Sequence, residues 1–189
     1  MTPLHRAIFL DRDGVINVNR PDHIKAWDEF VFLPRALEAL RRLAASEFVI
    51  VVTTNQSVIA RGLASEATVQ EIHARMIEAI VRAGGRIDAV YYCPHRPDDQ
   101  CDCRKPKPGM YHRAARELGI ALTRSIVIGD AFADVAAAYA IGARPILVLT
   151  GRGQAQHDEM VRNNHSGYIV VDDLMGAVDW IAREEKIAL

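Results

Sequence analysis

The sequence has 189 residues, of which 50% are hydrophobic and 25% are charged, and its formal net charge is −1. This length and composition are ordinary for one globular domain, so we expect a single domain over residues 1–189. A near-neutral charge argues against a nucleic-acid-binding protein, and no apolar run reaches the roughly 18–20 residues that span a bilayer, so we expect a cytoplasmic protein.

Short apolar runs alternate with helical patterns along the chain. The predicted strands are 7–10, 48–53, 89–93, 125–129, 145–149 and 168–171, and the predicted helices are 34–46, 65–83, 108–118, 134–140, 154–163 and 173–185. This alternation predicts an α/β fold, a three-layer Rossmann-like parallel sheet with helices on both faces. Ligands of such sheets bind beyond the carboxyl ends of the strands, so the residues that follow each strand are the candidates for a functional site.

Carboxylates follow the first and fourth predicted strands. Asp11 and Asp13 come after the first strand, and Asp130 comes after the fourth. Mg²⁺ prefers oxygen ligands, which Asp11 and Asp130 can supply, with Asp134 binding directly or through water. Asp11 can then attack a phosphorus atom to form an aspartyl phosphate, while Asp13 protonates the leaving alcohol and later activates water.

Neutral hydrogen-bonding groups and one lysine follow the second and third predicted strands. Thr54 and Asn55 can hydrogen-bond phosphoryl oxygens, and Lys105 can neutralise charge that develops in the transition state. Each of these short motifs also occurs in ordinary turns, caps and solvated surfaces. Their order after successive strands favours one shared site over several unrelated turns.

Three cysteines and one histidine lie close together after the third predicted strand, at Cys93, His95, Cys101 and Cys103. An odd number of cysteines at such short spacing fits a disulfide framework poorly, and Cys₃His is the ligand set of a closed tetrahedral zinc site. The alternative is a loop with reduced, unligated thiols. Since protein groups would fill all four positions, we expect a structural zinc whose role is to fix the neighbouring Lys105.

Four segments of the chain resemble the motifs of the haloacid-dehalogenase-like phosphatases. They are Phe-Leu-Asp-Arg-Asp-Gly-Val-Ile-Asn at 9–17, Thr-Asn-Gln-Ser at 54–57, Arg-Lys-Pro at 104–106 and Gly-Asp at 129–130. Within that superfamily, Asn17, the 54–57 segment and the cysteine–histidine loop are similar to the subgroup of D-glycero-D-manno-heptose 1,7-bisphosphate 7-phosphatases, to which the histidinol-phosphate phosphatases are closely related.

The resemblance implies a magnesium-dependent phosphatase that acts on the phosphate monoester of a small sugar-like metabolite. It implies Asp11 as nucleophile, Asp13 as acid and base, and Thr54 and Lys105 as stabilisers of the phosphoryl group. The expected magnesium ligands are Asp11, Asp13 and Asp130, with Asp134 as a further candidate. The expected substrate contacts are Arg12, Asn19, Asp22, Asn55, Gln56, Ser57 and Arg104. The connections that carry cap domains in larger members are short here, so we expect no large cap domain and an open site.

Several interpretations stay open. Histidinol phosphate or another small phosphate ester is an alternative substrate, since the Arg-Pro-Asp-His stretch at 20–23 and Ala131 both depart from the heptose phosphatase pattern. A zinc-loop module that binds without catalysis is an alternative of another class. The expected partner is a small phosphorylated metabolite, and a monomer is compatible with the sequence, which leaves the oligomeric state open. We interpret His73 as a surface or incidental residue. For the Gly-Arg-Gly segment at 151–153, which follows the fifth predicted strand, we favour a plain turn over an approach to substrate.

Overall fold

A single sheet of six parallel strands organises the protein, for which a computed structural model describes residues 4–187. The strand order is β3-β2-β1-β4-β5-β6. The strands are β1 (Ala7–Leu10), β2 (Val49–Asn55), β3 (Ala89–Cys93), β4 (Ile126–Gly129), β5 (Arg144–Val148) and β6 (Ile169–Val171). The helices are α1 (Ala36–Leu43), α2 (Glu66–Arg82), α3 (Gly109–Leu118), α4 (Phe132–Ala140), α5 (Gly153–Arg162) and α6 (Leu174–Glu185).

Helices cover both faces of the sheet, as predicted. Successive side chains of a strand point to opposite faces, so the apolar runs bury residues on each side. One core cluster joins Ile8 and Ile50 to side chains of α1, α2 and α6, among them Ile181. The other joins Phe9 and Val51 to side chains of α3 and α4. The prediction of a three-layer α/β fold is confirmed.

The helix boundaries differ from the predicted ones where local conformation intervenes. Helix α1 begins two residues later than expected because Arg35 adopts a left-handed conformation with φ of 61°. Helix α4 begins earlier than expected because the Asp134 carboxylate accepts a hydrogen bond from Ala131 N at 3.2 Å. Ser65 caps α2 as predicted, accepting from Thr68 N at 3.0 Å.

The strand order fixes the position of the functional residues. Strand β1 lies at the centre, with β2 on one side and β4 on the other. The chain therefore leaves β1 toward one half of the sheet and later returns to its other side, which opens a crevice at the carboxyl end of β1. The connection from β1 to α1 contains one short 3₁₀ turn, Trp27–Glu29, and no inserted domain among residues 4–187. No helix in that described range is long and apolar enough to cross a membrane.

Candidate active site

Three buried carboxylates meet at the carboxyl end of the sheet. Asp11 follows β1, Asp130 follows β4 and Asp134 lies in the first turn of α4. One oxygen from each lies within 4.8 Å of the others. Lys105 Nζ lies 3.0 Å from Asp11 Oδ1 and 2.6 Å from Asp134 Oδ1, and it donates to Thr53 O at 2.8 Å. One ammonium is thus shared by two of the three carboxylates. The cluster keeps an excess of negative charge, which a bound cation can neutralise.

Burial dominates the electrostatics of this cluster. It raises the pKa of Asp11 to about 6, although the charge of Lys105 acts in the opposite direction. Burial also raises the pKa values of Asp130 and Asp134. Burial alone would lower the pKa of Lys105, but Asp11 and Asp134 together raise it. The site therefore holds a fixed ammonium beside carboxylates that gain stability from any added positive charge.

The cluster fits a hard divalent cation. Its donors are carboxylate oxygens, the ligand type that Mg²⁺ prefers. Two glycines let the backbone come close to the Asp130 carboxylate: a Cβ would lie 2.0 Å from Asp130 Oδ2 at Gly14, where φ is +85°, and 2.3 Å from it at Gly151, where φ is +61°. Only glycine fits at these two positions without moving Asp130.

The carboxylate of Asp13 lies outside this group of three. Arg12 Nη2 donates to both of its oxygens at 3.1 and 3.0 Å. Asn17 Nδ2 and Gln56 Nε2 each donate to one oxygen at 2.9 Å. Burial would raise the pKa of Asp13, but Arg12 and the two amides outweigh it and lower the pKa. The expectation of an Asp13 ligand to magnesium therefore has no support from its side chain, which points to the donors around it.

The residues at the end of β2 and just after it contact both Asp13 and Lys105. Gln56 Nε2 donates to Thr54 Oγ1 at 2.9 Å as well as to Asp13. The Asn55 amide pairs with the backbone of Lys105 in both directions, donating to its carbonyl at 3.2 Å and accepting from its N–H at 3.1 Å. Ser57 Oγ accepts a bond from Arg61 at 3.4 Å. Asn55, predicted to contact substrate, is thus also the residue that holds Lys105 in place.

A cavity of about 560 Å³ lies above these groups, within the range of small-molecule sites. Most of the predicted site residues line it: Asp11, Arg12, Asp13, Asn19, Thr54, Asn55, Gln56, Ser57, Arg104, Lys105 and Asp134. Asp22 is not among the lining residues. Its carboxylate is exposed and binds Lys25 at 2.7 Å and Arg20 at 3.1 Å. Arg20 and His23, which depart from the family pattern, do line the cavity.

Arg12 and His73 form a buried pair beneath the cavity. The Arg12 side chain is 1% exposed, so its guanidinium faces Asp13 rather than the open cavity, and its Nη1 lies 3.1 Å from His73 Nε2. The expectation of a substrate contact from the Arg12 guanidinium is therefore not supported. The interpretation of His73 as incidental is wrong, because the residue is buried on the face of α2 that packs toward Arg12.

Arg152 also contributes to the site, contrary to its interpretation as part of a plain turn. Its N–H donates to Asp130 Oδ2 at 2.8 Å and its Nη2 donates to Asp130 Oδ1 at 3.3 Å. It lines the cavity together with Phe132 and Gln156. All three follow β4 or β5, so the rule that placed the other residues at strand ends also applies to them.

The cysteine–histidine loop converges on a single point. The three Sγ atoms of Cys93, Cys101 and Cys103 lie 3.5, 3.2 and 3.5 Å apart in pairs, and His95 Nδ1 lies 3.6 Å from Cys93 Sγ and 3.3 Å from Cys103 Sγ. Zinc with bonds of about 2.3 Å holds its sulfurs about 3.8 Å apart in a tetrahedron. The cluster therefore matches a zinc site in ligand type and nearly in size. Arg104 Nη1 donates to His95 O at 3.0 Å, which joins this cluster to the residue before Lys105.

Comparisons with known proteins identify relatives of this chain. The sequence profile of the HAD-hydrolase-like family matches residues 102–177. The D-glycero-β-D-manno-heptose-1,7-bisphosphate 7-phosphatase of Pseudomonas aeruginosa is 44% identical over 146 residues, which cover 77% of this chain and 82% of the relative. The enzyme of the same name from Pseudomonas putida is 40% identical over 179 residues, which cover 95% of this chain and 98% of the relative. The crystal structure of D,D-heptose 1,7-bisphosphate phosphatase from B. bronchiseptica, complexed with magnesium and phosphate, superposes with a TM-score of 0.88 at 39% identity and covers 95% of this chain and 99% of that one.

Proposed function

Because the chain belongs to the haloacid-dehalogenase-like phosphatases, in the family of the D-glycero-D-manno-heptose bisphosphate phosphatases, we propose that it removes the 7-phosphate of D-glycero-D-manno-heptose 1,7-bisphosphate. The observation that carries this proposal is that Asp11, Asp13 and Lys105 line one cavity while Asp130, fully buried, lies against Asp11 beneath it. A small phosphorylated metabolite is then the partner, and we place the enzyme in the cytoplasm as a single domain over residues 1–189.

Asp11, Asp130 and Asp134 would hold the magnesium ion. When bound there, Mg²⁺ withdraws charge from the phosphoryl oxygens and so lowers their repulsion of an incoming carboxylate. Any contribution of Asp13 would come from its main chain, which leads into Gly14 beside Asp130. The Cys₃His cluster would hold zinc as a structural ion, since all four of its ligand atoms come from the protein.

Asp11 is the nucleophile in this proposal. One of its oxygens bonds to phosphorus while the bond between phosphorus and the sugar oxygen breaks, giving an aspartyl phosphate and an alkoxide that takes a proton from Asp13. Asp13 then removes a proton from water, which attacks the same phosphorus and releases phosphate and Asp11. Lys105 Nζ and Thr54 Oγ1 hydrogen-bond the phosphoryl oxygens in both steps.

The resting state of Asp13 suits the second of these steps. Its lowered pKa keeps it an ionised carboxylate, the form that accepts a proton from water. The first step needs the protonated form. A phosphate dianion bound beside Asp13 opposes the positive charge of Arg12 and raises the proton affinity of the carboxylate, so substrate binding itself supplies the condition for acid catalysis.

The rim of the cavity would recognise the rest of the substrate. Asn19 and Arg104 line it and offer amide and guanidinium donors to hydroxyl groups and to a second phosphate. Asp22 acts on this rim indirectly, because it holds Arg20 through an ion pair of 3.1 Å. Arg12 acts from below through Asp13.

A phosphate-release assay with Mg²⁺ tests the proposed function. The substrates are both anomers of the heptose 1,7-bisphosphate, histidinol phosphate and simple sugar monophosphates, with ³¹P NMR to identify the phosphate that is lost. We expect kcat/KM for one heptose anomer to exceed that for every other ester by at least about tenfold, with loss of the 7-phosphate. A preference for histidinol phosphate would replace the proposed substrate, and no hydrolysis of any ester would refute phosphatase activity.

Removal of zinc is expected to lower turnover more than it unfolds the protein. Lys105 follows the cysteine cluster within two residues, and a displacement of about 1 Å in a catalytic group can cost on the order of 100-fold in rate. Among the four expected zinc ligands, Cys93 alone belongs to the sheet, as the last residue of β3, so most of the sheet's hydrogen bonds lie away from the cluster. The measurement is kcat with Mg²⁺ in excess, alongside far-ultraviolet circular dichroism, after treatment with a thiol-specific zinc chelator.

Zinc added back should restore kcat, and the Asp98→Asn variant, changed at an exposed position of the same loop, should respond to the chelator as the wild type does. Full turnover in the zinc-free, magnesium-loaded enzyme would contradict the assigned role.

The Arg152→Met variant is expected to bind Mg²⁺ about two- to fivefold more tightly than the wild type when substrate is absent. The Arg152 guanidinium shares Asp130 with the cation, and removal of a partly exposed competing charge is worth up to about 1 kcal/mol. Titration calorimetry measures the affinity. The control is Arg162→Met, an exposed arginine at the end of helix α5, whose first residue follows Arg152. Weaker Mg²⁺ binding in Arg152→Met would show that the guanidinium supports the cation rather than competing with it.

A further inference from the structure

A buried arginine stands between the proton-transferring carboxylate and a histidine of helix α2. Arg12 Nη2 donates to both oxygens of Asp13, and Arg12 Nη1 lies 3.1 Å from His73 Nε2. A guanidinium only donates hydrogen bonds, so His73 Nε2 must be the acceptor and the ring must be neutral, with its proton on Nδ1. Burial and the charge of Arg12 lower the pKa of His73 to about 3, in agreement with a neutral ring.

His73 provides the second anchor of the Arg12 guanidinium. Within residues 4–187, the side chains that accept hydrogen bonds from Arg12 are Asp13 and His73, and Arg12 Nε is buried without a partner. The centre of the Phe30 ring lies 6.0 Å from the guanidinium carbon, and this contact does not fix the orientation of the guanidinium. Two terminal nitrogens therefore fix the plane of the group, one on each side. Loss of either anchor leaves the guanidinium free to rotate about its remaining contact.

Helix α2 and strand β3 hold His73 in turn. The His73 ring lies 5.4 Å from the ring of Tyr92. The Tyr92 hydroxyl donates to Glu66 at 2.7 Å and accepts from Gln70 at 3.1 Å, and both of these residues belong to α2. The histidine thus connects Asp13, at the end of β1, to a packed helix and the edge strand.

We propose that His73 is a positioning residue for proton transfer, which holds Arg12 so that Arg12 aims the Asp13 carboxylate at the leaving oxygen. The inference rests on the proposed phosphatase activity. Without an acceptor at position 73, Arg12 Nη1 loses its buried partner and shifts. The Asp13 carboxylate keeps its bonds from Asn17 and Gln56 but loses the fixed guanidinium that sets its orientation between them. The step that suffers is protonation of a poor leaving group. Attack by Asp11 and the binding of the phosphate do not involve His73.

The test compares two esters in four variants. An alkyl phosphate, the heptose bisphosphate, needs a proton on its leaving oxygen, whereas p-nitrophenyl phosphate leaves without one. His73→Leu removes the acceptor, and His73→Gln supplies an amide oxygen in its place. Asp13→Asn is the reference for complete loss of the acid. Ile80→Ala, a core substitution on the same helix, is the control for lost stability. The measurements are kcat and KM for both esters with Mg²⁺, and the thermal unfolding midpoint.

We expect His73→Leu to lower kcat for the alkyl ester about tenfold more than for the aryl ester, a part of the ~10²–10⁴ that a positioned acid contributes. KM should change less than about twofold. His73→Gln should recover much of the difference, and Ile80→Ala should leave the ratio of the two esters unchanged. If His73→Leu does not fold, His73→Asn, whose shorter amide stops short of Arg12, takes its place with the same expected loss.

Equal losses for both esters in the His73 variants, or a ratio like that of Ile80→Ala, would overturn the inference while the phosphatase activity stands. A wild-type enzyme that hydrolyses neither ester would overturn the proposed function and the inference with it.

Discussion

Replacement of Asp11 by asparagine is expected to abolish turnover and to leave the protein folded. A neutral amide does not attack phosphorus, and loss of a nucleophile lowers kcat on the order of 10⁴- to 10⁶-fold in enzymes with covalent intermediates. Lys105 keeps a buried partner in this variant, because its Nζ also lies 2.6 Å from Asp134. The measurements are phosphate release at saturating substrate and the circular dichroism spectrum.

The same variant is expected to gain stability at high pH in metal-free buffer. Burial raises the pKa of Asp11 from 3.8 to about 6, so the folded state holds this proton more tightly than the unfolded state does. The wild type therefore loses stability as the pH rises through that interval, and the asparagine variant does not lose this contribution. We expect a higher unfolding midpoint for Asp11→Asn at pH 8 and a similar one at pH 4.

Asp28→Asn, the same change at an exposed position, is the matched control and should behave as the wild type in both assays. Substantial turnover by Asp11→Asn would rule out the covalent mechanism, and a lower midpoint at pH 8 would show that the Asp11 charge stabilises the fold.

Replacement of Lys105 by methionine is expected to damage both activity and stability. Lys105 is buried and lies 3.0 Å from Asp11 and 2.6 Å from Asp134, so the change leaves two buried carboxylates without their ammonium. Breaking a buried ion pair by removal of one partner costs about 3–5 kcal/mol. Loss of one donor to the developing charge lowers kcat on the order of 10²- to 10³-fold.

The stability loss of Lys105→Met should depend on pH. Without the ammonium, the pKa values of Asp11 and Asp134 rise further above those of the unfolded chain, so protonation stabilises the folded variant. The variant should therefore be closer to the wild type at pH 5 than at pH 8 in denaturant titrations. Lys107→Met, an exposed lysine two residues away, is the control and should change neither quantity. A pH-independent loss would mean that Lys105 acts through packing rather than charge.

Much of the fold follows from local pattern. Each apolar run became a strand of the predicted sheet, and each helical pattern became a helix, because periodic burial is a property of neighbouring residues. The misplaced starts of α1 and α4 have local causes. The start of α4 had a usable signal, because Asp134 at the third helical position caps the helix by accepting from Ala131 N. The start of α1 had none, because a left-handed conformation is uncommon for an arginine such as Arg35.

The candidate site could also be predicted only in part. The short side chains of Asp11, Asp130 and Thr54 lie where their strands end, so their position follows from topology. Arg12 follows a strand too, but its long side chain could point into the cavity or into the protein interior. Only the packed structure shows that the guanidinium is buried in the interior, beside Asp13. His73 had a usable signal. It lies on the apolar face of α2 with Val69 and Met76, and a buried polar side chain on such a face needs a hydrogen-bond partner.

The glycines beside Asp130 have a consequence for ion binding. Gly14 and Gly151 come from loops after different strands, and Thr150 Oγ1 donates to Gly14 O at 2.6 Å, so main chain closes around this carboxylate from both sides. Backbone has no rotamers to lose. The conformational entropy needed to immobilise this ligand is therefore lost when the chain folds, and little remains to be lost when the ion arrives. The Asp130 carboxylate is therefore preorganised for the ion.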